Sequence, residues 1–445
     1  MKQTLTLLSR YLCVVACVLL AVSCSDKAKE SQEQKEDLIK LIGDNATVAG
    51  FASLDAVLES IDVVDGKVPA DLSEIGDEDF DEAIQTITSI KGFDSNAILF
   101  LAYEKGHHVA CVSTILDEDE LKSSLSAAGF DVDGDVYEYE GLFVVIREGR
   151  CWFVAGDQDA TETVNALINE AESKPLAGWK KEQLQALCDK RFCAFGAIEG
   201  NYVFFSGDLT GNSCDMAFKA LDANGKPFIE VADNAGIASL GKYVDRNATF
   251  GAVFPGLSVF PQLQGLMQMA EMSEYLQYTT LKAAVNVNIN KPESTAYYDP
   301  SYGSVQVALE ATPGNAANLL SLITTTIEQE SGLVSTGDET HREFSYGLWR
   351  VTFDVEGDFV VARYGNTNIS QALDCGNGQL VKAVANVPAH MASVNNPFGY
   401  TAEFKMDSES ITIHCEIKDT DKSFIHALMY MAFSMEKSYR NRYWN

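Results

Sequence analysis

The heptapeptides NATVAGF (residues 45–51) and NATFGAV (residues 247–253) decide the fold, because they are two variants of one segment in distant parts of the chain. Each starts with Asn-Ala-Thr and continues as a short apolar run typical of a buried strand. A stretch with helical periodicity precedes each heptapeptide, KEDLIKLIGD in the first case and GIASLGKYVDR in the second. The repetition predicts that one structural unit occurs twice.

The segments that follow each heptapeptide occur in the same order. In the first half, the strand-like HHVACVSTI leads to DEDELKSSLSAAGF, where Leu121, Leu125 and Ala128 recur at the spacing of one helical face. In the second half, GSVQVALEATPGNAANLLSLITTTIEQE again predicts a strand and then a helix, with Pro313 near the helix start. The shared order extends the repeat well beyond the heptapeptides.

A pair of strands joined by a glycine-centred turn comes next in both halves. The turns are Glu148-Gly149-Arg150 within YEGLFVVIREGRCWFVAGDQDA and Glu356-Gly357-Asp358 within YGLWRVTFDVEGDFVVARYGNTN. Helices are predicted after them at DATETVNALINEAES and NISQALD, and a closing hairpin at AFKALDANGKPFI and HCEIKDTDKSFI. The sequence therefore predicts an α+β fold with two copies of a β-rich unit, residues 38–235 and 236–445, containing antiparallel sheets and packed helices.

The amino-terminal segment has the features of a lipoprotein signal peptide. Lys2 and Arg10 precede Tyr11–Val22, an almost unbroken apolar run shorter than the ~20 residues of a membrane-spanning helix. The run closes on LAVSC, which resembles a lipobox, so Cys24 would become the acylated first residue. A plain secretory signal with a chance cysteine is the alternative. We expect residues 1–23 to be removed and palmitate-type chains on Cys24 to hold the protein on a membrane.

The residues after the anchor bear on location. Ser25 follows the cysteine where an aspartate typically retains such lipoproteins at the inner membrane, so the resemblance implies an outer-membrane location. Residues 24–37 contain few apolar side chains and are predicted to be the lipidated cysteine followed by a flexible tether. The sequence leaves open whether the body faces the periplasm or the cell surface.

Acidic residues dominate the composition of an otherwise ordinary globular chain. Hydrophobic residues make up 46% of the sequence, which is ample for a core, while 64 Asp and Glu against 33 Lys and Arg give a net charge of −31. A nucleic acid would be repelled by such a surface, and no clustered basic run offsets it, so no nucleic-acid partner is predicted. We expect the excess of acidic residues to keep the protein soluble. The alternative is that some of the carboxylates bind cations.

The cysteines do not form an obvious disulfide framework. Without the leader cysteines and Cys24, an odd number remains, namely Cys111, Cys151, Cys188, Cys193, Cys214, Cys375 and Cys415. Several of them lie within apolar strand-like runs, where free cysteine behaves as a small buried hydrophobe. We expect a body that does not depend on disulfides, with Cys188 and Cys193 as the one close pair.

Short motifs that could indicate catalysis or metal binding are incomplete. Gly236–Lys242 fits the start of a phosphate-binding loop, but Tyr243 stands where the Mg²⁺-binding Ser or Thr is required. His107 and His108 are neighbours in a strand-like run, so their side chains point to opposite faces and cannot readily share a metal. No catalytic set and no cofactor are predicted.

Three aspartates are weak candidates for calcium binding. Asp131, Asp133 and Asp135 have the alternating spacing of a calcium loop, but the glycine and the glutamate that an EF-hand needs further along are missing. A turn that bears acids and connects two strands is the alternative interpretation.

The layout of the mature chain resembles a known group of proteins. A lipobox, an acidic tether, a helix and a strand beginning Asn-Ala-Thr occur in GDNATVAGFASL and again, without the anchor, in DRNATFGAVFPGL. This arrangement is similar to a family of uncharacterised outer-membrane lipoproteins, with domains of unknown function, from Gram-negative gut anaerobes. The resemblance implies a lipid anchor at Cys24 and an α+β body, and it supplies no other functional residue.

Three functions remain open at this stage. The first is a non-catalytic envelope protein that binds a protein or glycan partner in a cleft or on a sheet face between the copies, with Trp349, Tyr297 and Tyr298 as candidate aromatic lining. The second is a hydrolase of envelope or dietary glycans that uses paired carboxylates. The third is a structural component of an outer-membrane assembly, which would expose an apolar patch.

Overall fold

The computed structural model describes residues 28–75, 78–103, 108–155, 159–227, 236–256, 273–289, 303–388, 398–430 and 432. These residues form two compact units. The first unit contains the described residues up to 227 and those from 420 onward, and the second contains residues 236–419. Cys24, His107, Tyr297 and Tyr298 lie outside the described residues.

The first unit contains helices on either side of ten strands in its described part. Its helices are α1 Ala28–Leu38, α2 Leu54–Ser60, α3 Ala70–Ile75, α4 Glu78–Ser89, α5 Glu118–Ala127, α6 Ala160–Ser173 and α7 Gly178–Gln185. Its strands are β1 Val48–Ala52, β2 Ile98–Tyr103, β3 His108–Thr114, β4 Asp131–Asp133, β5 Val136–Tyr139, β6 Leu142–Arg147, β7 Arg150–Ala155, β8 Phe192–Ile198, β9 Asn201–Thr210 and β10 Ser213–Leu221. Residues 424–430 add a further helical segment.

The strands of the first unit form an antiparallel sheet in the order β4-β5-β6-β7-β3-β2-β1-β8-β9-β10. The repeated heptapeptide supplies β1, which pairs with β2 on one side and with β8 on the other. The N-A-T segment therefore leads directly into a central strand of the sheet.

The described part of the second unit contains fewer helices and the same kind of sheet. Its helices are α8 Ser273–Leu276 and α9 Ala316–Ser331, with a 3₁₀ turn at Ala238–Tyr243. Its strands are β11 Phe250–Phe254, β12 Thr279–Ile289, β13 Gly303–Ala311, β14 Thr336–Gly337, β15 His341–Tyr346, β16 Trp349–Glu356, β17 Phe359–Tyr364, β18 Val381–Val387, β19 Gly399–Met406 and β20 Ile411–Lys418. They pair antiparallel in the order β14-β15-β16-β17-β13-β12-β11-β18-β19-β20.

Both faces of the first sheet carry a hydrophobic core, because successive residues of a strand point to opposite faces. On β7, Trp152 belongs to the core beneath α1, α6 and α7, and its neighbour Cys151 belongs to the core beneath α5. In the second unit, Val361 and Val360 of β17 divide in the same way between two cores, one of them beneath α9. The predicted α+β class with antiparallel strands is confirmed.

Local sequence signals account for the helix boundaries and turns. Asp117 and Asp159 each accept a hydrogen bond from a main-chain N–H three residues on, at 2.9 Å, and so cap α5 and α6. Glu148 and Gly149 have φ of 52° and 68°, and Gly357 has φ of 66°, the left-handed backbone that two-residue hairpin turns require. The two predicted glycine-centred hairpins are confirmed.

Three local predictions were wrong. The tether is ordered from residue 28 onward, because Ala28–Leu38 forms α1 and the ammonium group of Lys35 is buried against distant main-chain carbonyls. The segment NISQALD forms no helix. HCEIKDTDKSFI contains no hairpin, since β20 ends at Lys418 and a helical segment begins at residue 424.

None of the described helices is long and apolar enough to cross a membrane.

Candidate functional site

The β8–β9–β10 end of the first sheet is covered on one face. Phe195 and Phe204 point into the core there, and Trp179 of α7 packs against Tyr202 and Phe204 with ring centroids 5.4 and 6.1 Å apart. The residues between β7 and β8 supply both α6 and α7, which form this cover. This face of the first sheet is therefore hydrophobic core.

In the described part of the second unit, no helix covers the β18–β19–β20 end of the sheet. Residues 365–380, which connect β17 to β18 and are all described, form no helix. The strand register places Lys382 opposite Lys405, and Glu403 opposite both Val384 and His414, on one face. Three charged side chains, those of Lys382, Lys405 and Glu403, therefore lie on one face of these strands.

This polar face forms a cleft of about 510 Å³, which we call the cationic cleft. Its described lining includes four basic side chains, Arg246, Lys382, Lys405 and Lys418, and two acidic ones, Asp374 and Glu403. An excess of basic groups is unusual in a chain with a net charge of −31. Such a local concentration of positive charge attracts anions even where the protein as a whole repels them.

Glu403 neutralises part of that charge. Its two carboxylate oxygens lie 3.1 Å from the ammonium of Lys382 and 2.9 Å from that of Lys405. Burial acts to raise the pKa of Glu403, but the hydrogen bonds from the two lysines outweigh it and lower the pKa. Lys382 is almost fully buried and also donates to the main-chain carbonyl of Asp374. These groups form an ordered floor for the cleft.

Arg246 and Lys418 are the basic groups best placed to meet a ligand. Arg246 is exposed, and its guanidinium makes no ion pair within the described part of the chain. The ammonium of Lys418 lies 3.9 Å from Glu416, at the limit of an ion pair, with its side chain 44% exposed. Two charges in the cleft are therefore weakly compensated by the protein itself.

A second, smaller pocket adjoins the cationic cleft. It has a volume of about 390 Å³ and shares Asn247 and Asn386 with the cleft. Asparagine side chains dominate its lining, with Asn288, Asn366 and Asn368 also present. Ser304 also lines it. Side-chain amides both donate and accept hydrogen bonds, so this pocket suits a ligand with hydrogen-bonding groups.

The first unit contains a wider cleft of about 970 Å³ with an acidic lining. Asp55 and Glu59 lie one helical turn apart on α2, and burial together with the charge of Asp55 raises the pKa of Glu59. Asn96 donates a hydrogen bond of 3.1 Å to the Asp55 carboxylate. The raised pKa of Glu59 favours its protonated form, as a general acid would need.

The predicted site residues lie elsewhere. Asp131 and Asp133 are exposed on β4, and Asp135 is exposed in the following turn, outside the three clefts described above. No group of three metal-ligating side chains occurs among the described residues. Calcium binding by these aspartates stays a prediction.

The aromatic lining expected around Trp349 is not found. Trp349 stacks on Tyr364 at 5.2 Å beside the exposed Tyr346 and Leu348, and it lines none of the three clefts. A component of an assembly was expected to expose an apolar patch, and among the described residues this exposed turn resembles such a patch most.

The cleft lysines were missed in the sequence, although alternating polar residues in VKAVANV and GYTAEFKM were a usable signal.

Comparison of the chain with protein-family models, curated proteins and solved structures found no match. The functional argument therefore rests on the geometry of the described clefts.

Proposed function

We propose that this chain is a lipid-anchored envelope protein that binds acidic glycans in the cationic cleft of its second unit. The observation that carries the proposal is the face of β18–β20 that no described helix covers, where four basic side chains line one cleft. Exposed carboxylate or sulfate groups would pair with Arg246 and Lys418, because charge-assisted hydrogen bonds are about twice as strong as neutral ones. This interpretation makes the protein a binding module and assigns it no catalytic step.

The adjoining asparagine pocket favours a glycan over an acidic peptide. A side-chain amide both donates and accepts hydrogen bonds, which matches the dual character of a sugar hydroxyl. Large apolar side chains that would hold peptide residues are few in this lining, where Ile289 is the main one. Specificity would come from hydrogen bonds and charge, since no Phe, Tyr or Trp is among the described residues that line these two pockets.

As part of the same proposal, the two units are copies that arose by duplication and later diverged. Both sheets have the same strand order, and main-chain hydrogen bonds recur when Asn45 is aligned with Asn247. In the first unit, main-chain N–H groups donate to the carbonyls of Ile42, Gly43 and Thr47; the donors are Leu176, Ala46 and Ala197, respectively. In the second unit, the aligned carbonyls of Val244, Asp245 and Thr249 accept from Leu373, Ala248 and Asn386. The first copy has the covering helices α6 and α7, and the described part of the second copy has no counterpart to them, so the proposed binding face is open there.

The anchor completes the proposal. Lipidated Cys24 would hold the protein at the outer membrane, and α1 begins at Ala28, only a few residues further along the chain. A short connection keeps the body near the membrane surface. Radiolabelled palmitate incorporation that is lost in Cys24→Ala would support this anchor, and labelling that persists in the variant would contradict it.

Binding measurements with the detergent-solubilised full chain test the proposed ligand. Oligogalacturonate supplies carboxylates, a heparin-derived oligosaccharide supplies sulfates, and a maltooligosaccharide is the neutral control. We expect the acidic glycans to bind with an affinity that falls as salt rises. Arg246→Gln should weaken the affinity about tenfold, the equivalent of ~1.4 kcal/mol. Lys418→Gln should weaken it less, because Glu416 already compensates part of its charge.

Lys226→Gln is the matched control for these variants. Lys226 is exposed in a turn of the first unit and is not among the residues that line the cleft, so its replacement removes the same charge without changing that lining. The control should bind as the wild type does. Equal losses in all three variants, tighter binding of polyglutamate than of the glycans, or no binding of any acidic glycan would contradict the proposal.

Hydrolysis of glycans in the acidic cleft of the first unit is the second candidate function. The raised pKa of Glu59 beside Asp55 favours it, since a protonated acid and an ionised carboxylate are the pair that glycoside cleavage uses. Release of reducing ends from envelope or dietary polysaccharides should then disappear in Glu59→Gln and persist in Glu138→Gln, an exposed acid on β5. Equal activity in both variants would rule this function out.

A further inference from the structure

Two buried cysteines of the first unit lie side by side. Cys188 follows α7 and Cys193 lies in β8, and both are almost completely buried. Their thiols form a hydrogen bond with each other, and both are free. The thiol of Cys188 also lies 3.3 Å from the main-chain carbonyl of Leu184. The two sulfur atoms are thus adjacent within one hydrophobic core.

A buried positive charge accompanies this pair. The side chain of Lys35 on α1 is 5% exposed, and its ammonium donates to the carbonyls of Cys188 at 3.1 Å and Lys190 at 3.0 Å. No carboxylate pairs with it within the described residues. Burying an ammonium without a counter-charge is costly, so a neighbouring group that can become an anion is favoured.

Cys188 is the group that can supply that anion. The hydrogen bond from Cys193 lowers the pKa of the Cys188 thiol, burial opposes this, and the charge of Lys35 lowers it further, with a net decrease. The same hydrogen bond, together with burial, raises the pKa of Cys193. Cys188 therefore ionises more readily than Cys193, which is the asymmetry of a reactive dithiol.

We propose that Cys188 and Cys193 are a redox-active pair that closes to a disulfide in the envelope, where the oxidant is the disulfide of a small molecule or of a thiol oxidoreductase. The thiolate of Cys188 attacks one sulfur of that disulfide and expels a thiolate, forming a mixed disulfide. Cys193 then loses its proton and attacks the sulfur of Cys188, which expels the second thiolate. Two electrons pass to the oxidant, and the two protons leave with its thiols.

The position of the pair explains what the bond would do. Cys193 lies opposite Phe51 in the pairing of β8 with β1, and Cys188 belongs to the turn that connects α7 to β8. A disulfide would fasten the covering helix to the centre of the sheet. Because both sulfurs are buried, the bond forms during folding or when this turn opens, and it is then shielded from reductants.

Peptide mapping of the full chain isolated from the envelope tests the proposal without any variant. Thiols are quenched with acid, alkylated in denaturant and analysed by mass spectrometry after proteolysis. We expect the peptides containing Cys188 and Cys193 to be linked, whereas Cys375, a buried cysteine of the second unit, is alkylated. Alkylation of Cys188 and Cys193 as complete as that of Cys375 would overturn the proposal.

The role of Lys35 is tested by the rate of oxidation. Oxidised glutathione added to the reduced wild type should close the pair, and Lys35→Met should slow closure about tenfold, because the rate follows the thiolate fraction. Lys40→Met removes an exposed lysine from the same region as a control and should leave the rate unchanged. Equal rates in all three proteins would show that the ammonium does not activate Cys188.

Discussion

The variant Gly207→Ala is expected to unfold the first unit under conditions in which the wild type is folded. A Cβ atom at this position would lie 1.9 Å from the ring of Phe192, its partner across β8 and β9. That ring is 1% exposed and packs against Phe205, so it has little room to move. Overpacking of a core usually costs about 1 to 3 kcal/mol, and this overlap belongs at or above the upper end.

Urea unfolding curves measure the effect, and a second substitution tests its cause. Phe192→Leu removes the ring atoms that would be overlapped, so the double variant should regain much of the stability lost in Gly207→Ala. Gly196→Ala is the matched control, because a Cβ on this strand glycine meets no atom within 4 Å. Similar losses in the two alanine variants would contradict the pairing of Phe192 with Gly207 across β8 and β9.

Asp44→Asn is expected to destabilise the first unit by about 2 kcal/mol, a figure reduced from the range for buried pairs because Asp44 is partly exposed. Lys180 is buried at 5% side-chain exposure, and its ammonium lies 2.8 Å from the Asp44 carboxylate. The same oxygen accepts a hydrogen bond from the main-chain N–H of Ala177 at 2.9 Å. The substitution leaves a buried ammonium without its counter-charge.

The loss should be largely recovered in Asp44→Asn with Lys180→Met, since no unpaired charge then remains in the core. Asp189→Asn, which alters an exposed acid nearby, should change the free energy of unfolding very little. A double variant no more stable than Asp44→Asn would show that the ion pair does not cause the effect.

Acid should erase the difference between the wild type and Asp44→Asn. Burial acts to raise the pKa of Asp44, but the hydrogen bonds from Lys180 and Ala177 lower it below the usual 3.8. A carboxyl group whose folded-state pKa is depressed contributes stability above its unfolded pKa and loses it as pH falls through the folded value. The gap between the two unfolding free energies should therefore be constant near neutrality and shrink below about pH 4.

The elements that could be predicted from sequence are those set by neighbouring residues. The hairpin turn at Glu148-Gly149 needs left-handed backbone at adjacent positions, and the buried face of α5 needs only Leu121 and Leu125 at helical spacing. NISQALD failed because a segment this short gains too few hydrogen bonds to form a helix unless other residues pack on it. Its sequence alone carried no information about that packing.

The functional regions escaped sequence reasoning because they join distant residues. Lys35 is buried by carbonyls more than 150 positions away, at Cys188 and Lys190, so its segment looked like a solvated tether. The cationic cleft combines Arg246 with side chains from three later strands, and only the order β11-β18-β19-β20 brings them together. A reading of each strand alone could not reveal this.

Hydrogen–deuterium exchange of the full chain, with and without saturating oligogalacturonate, tests the central claim most directly. Binding in the cationic cleft predicts slower exchange of main-chain amides in β18, in β19 and in residues 371–374, which line it. The acidic cleft of the first unit, at residues 54–66 and 85–96, should exchange as before. Protection confined to those first-unit segments, or absent from β18 and β19, would contradict the account.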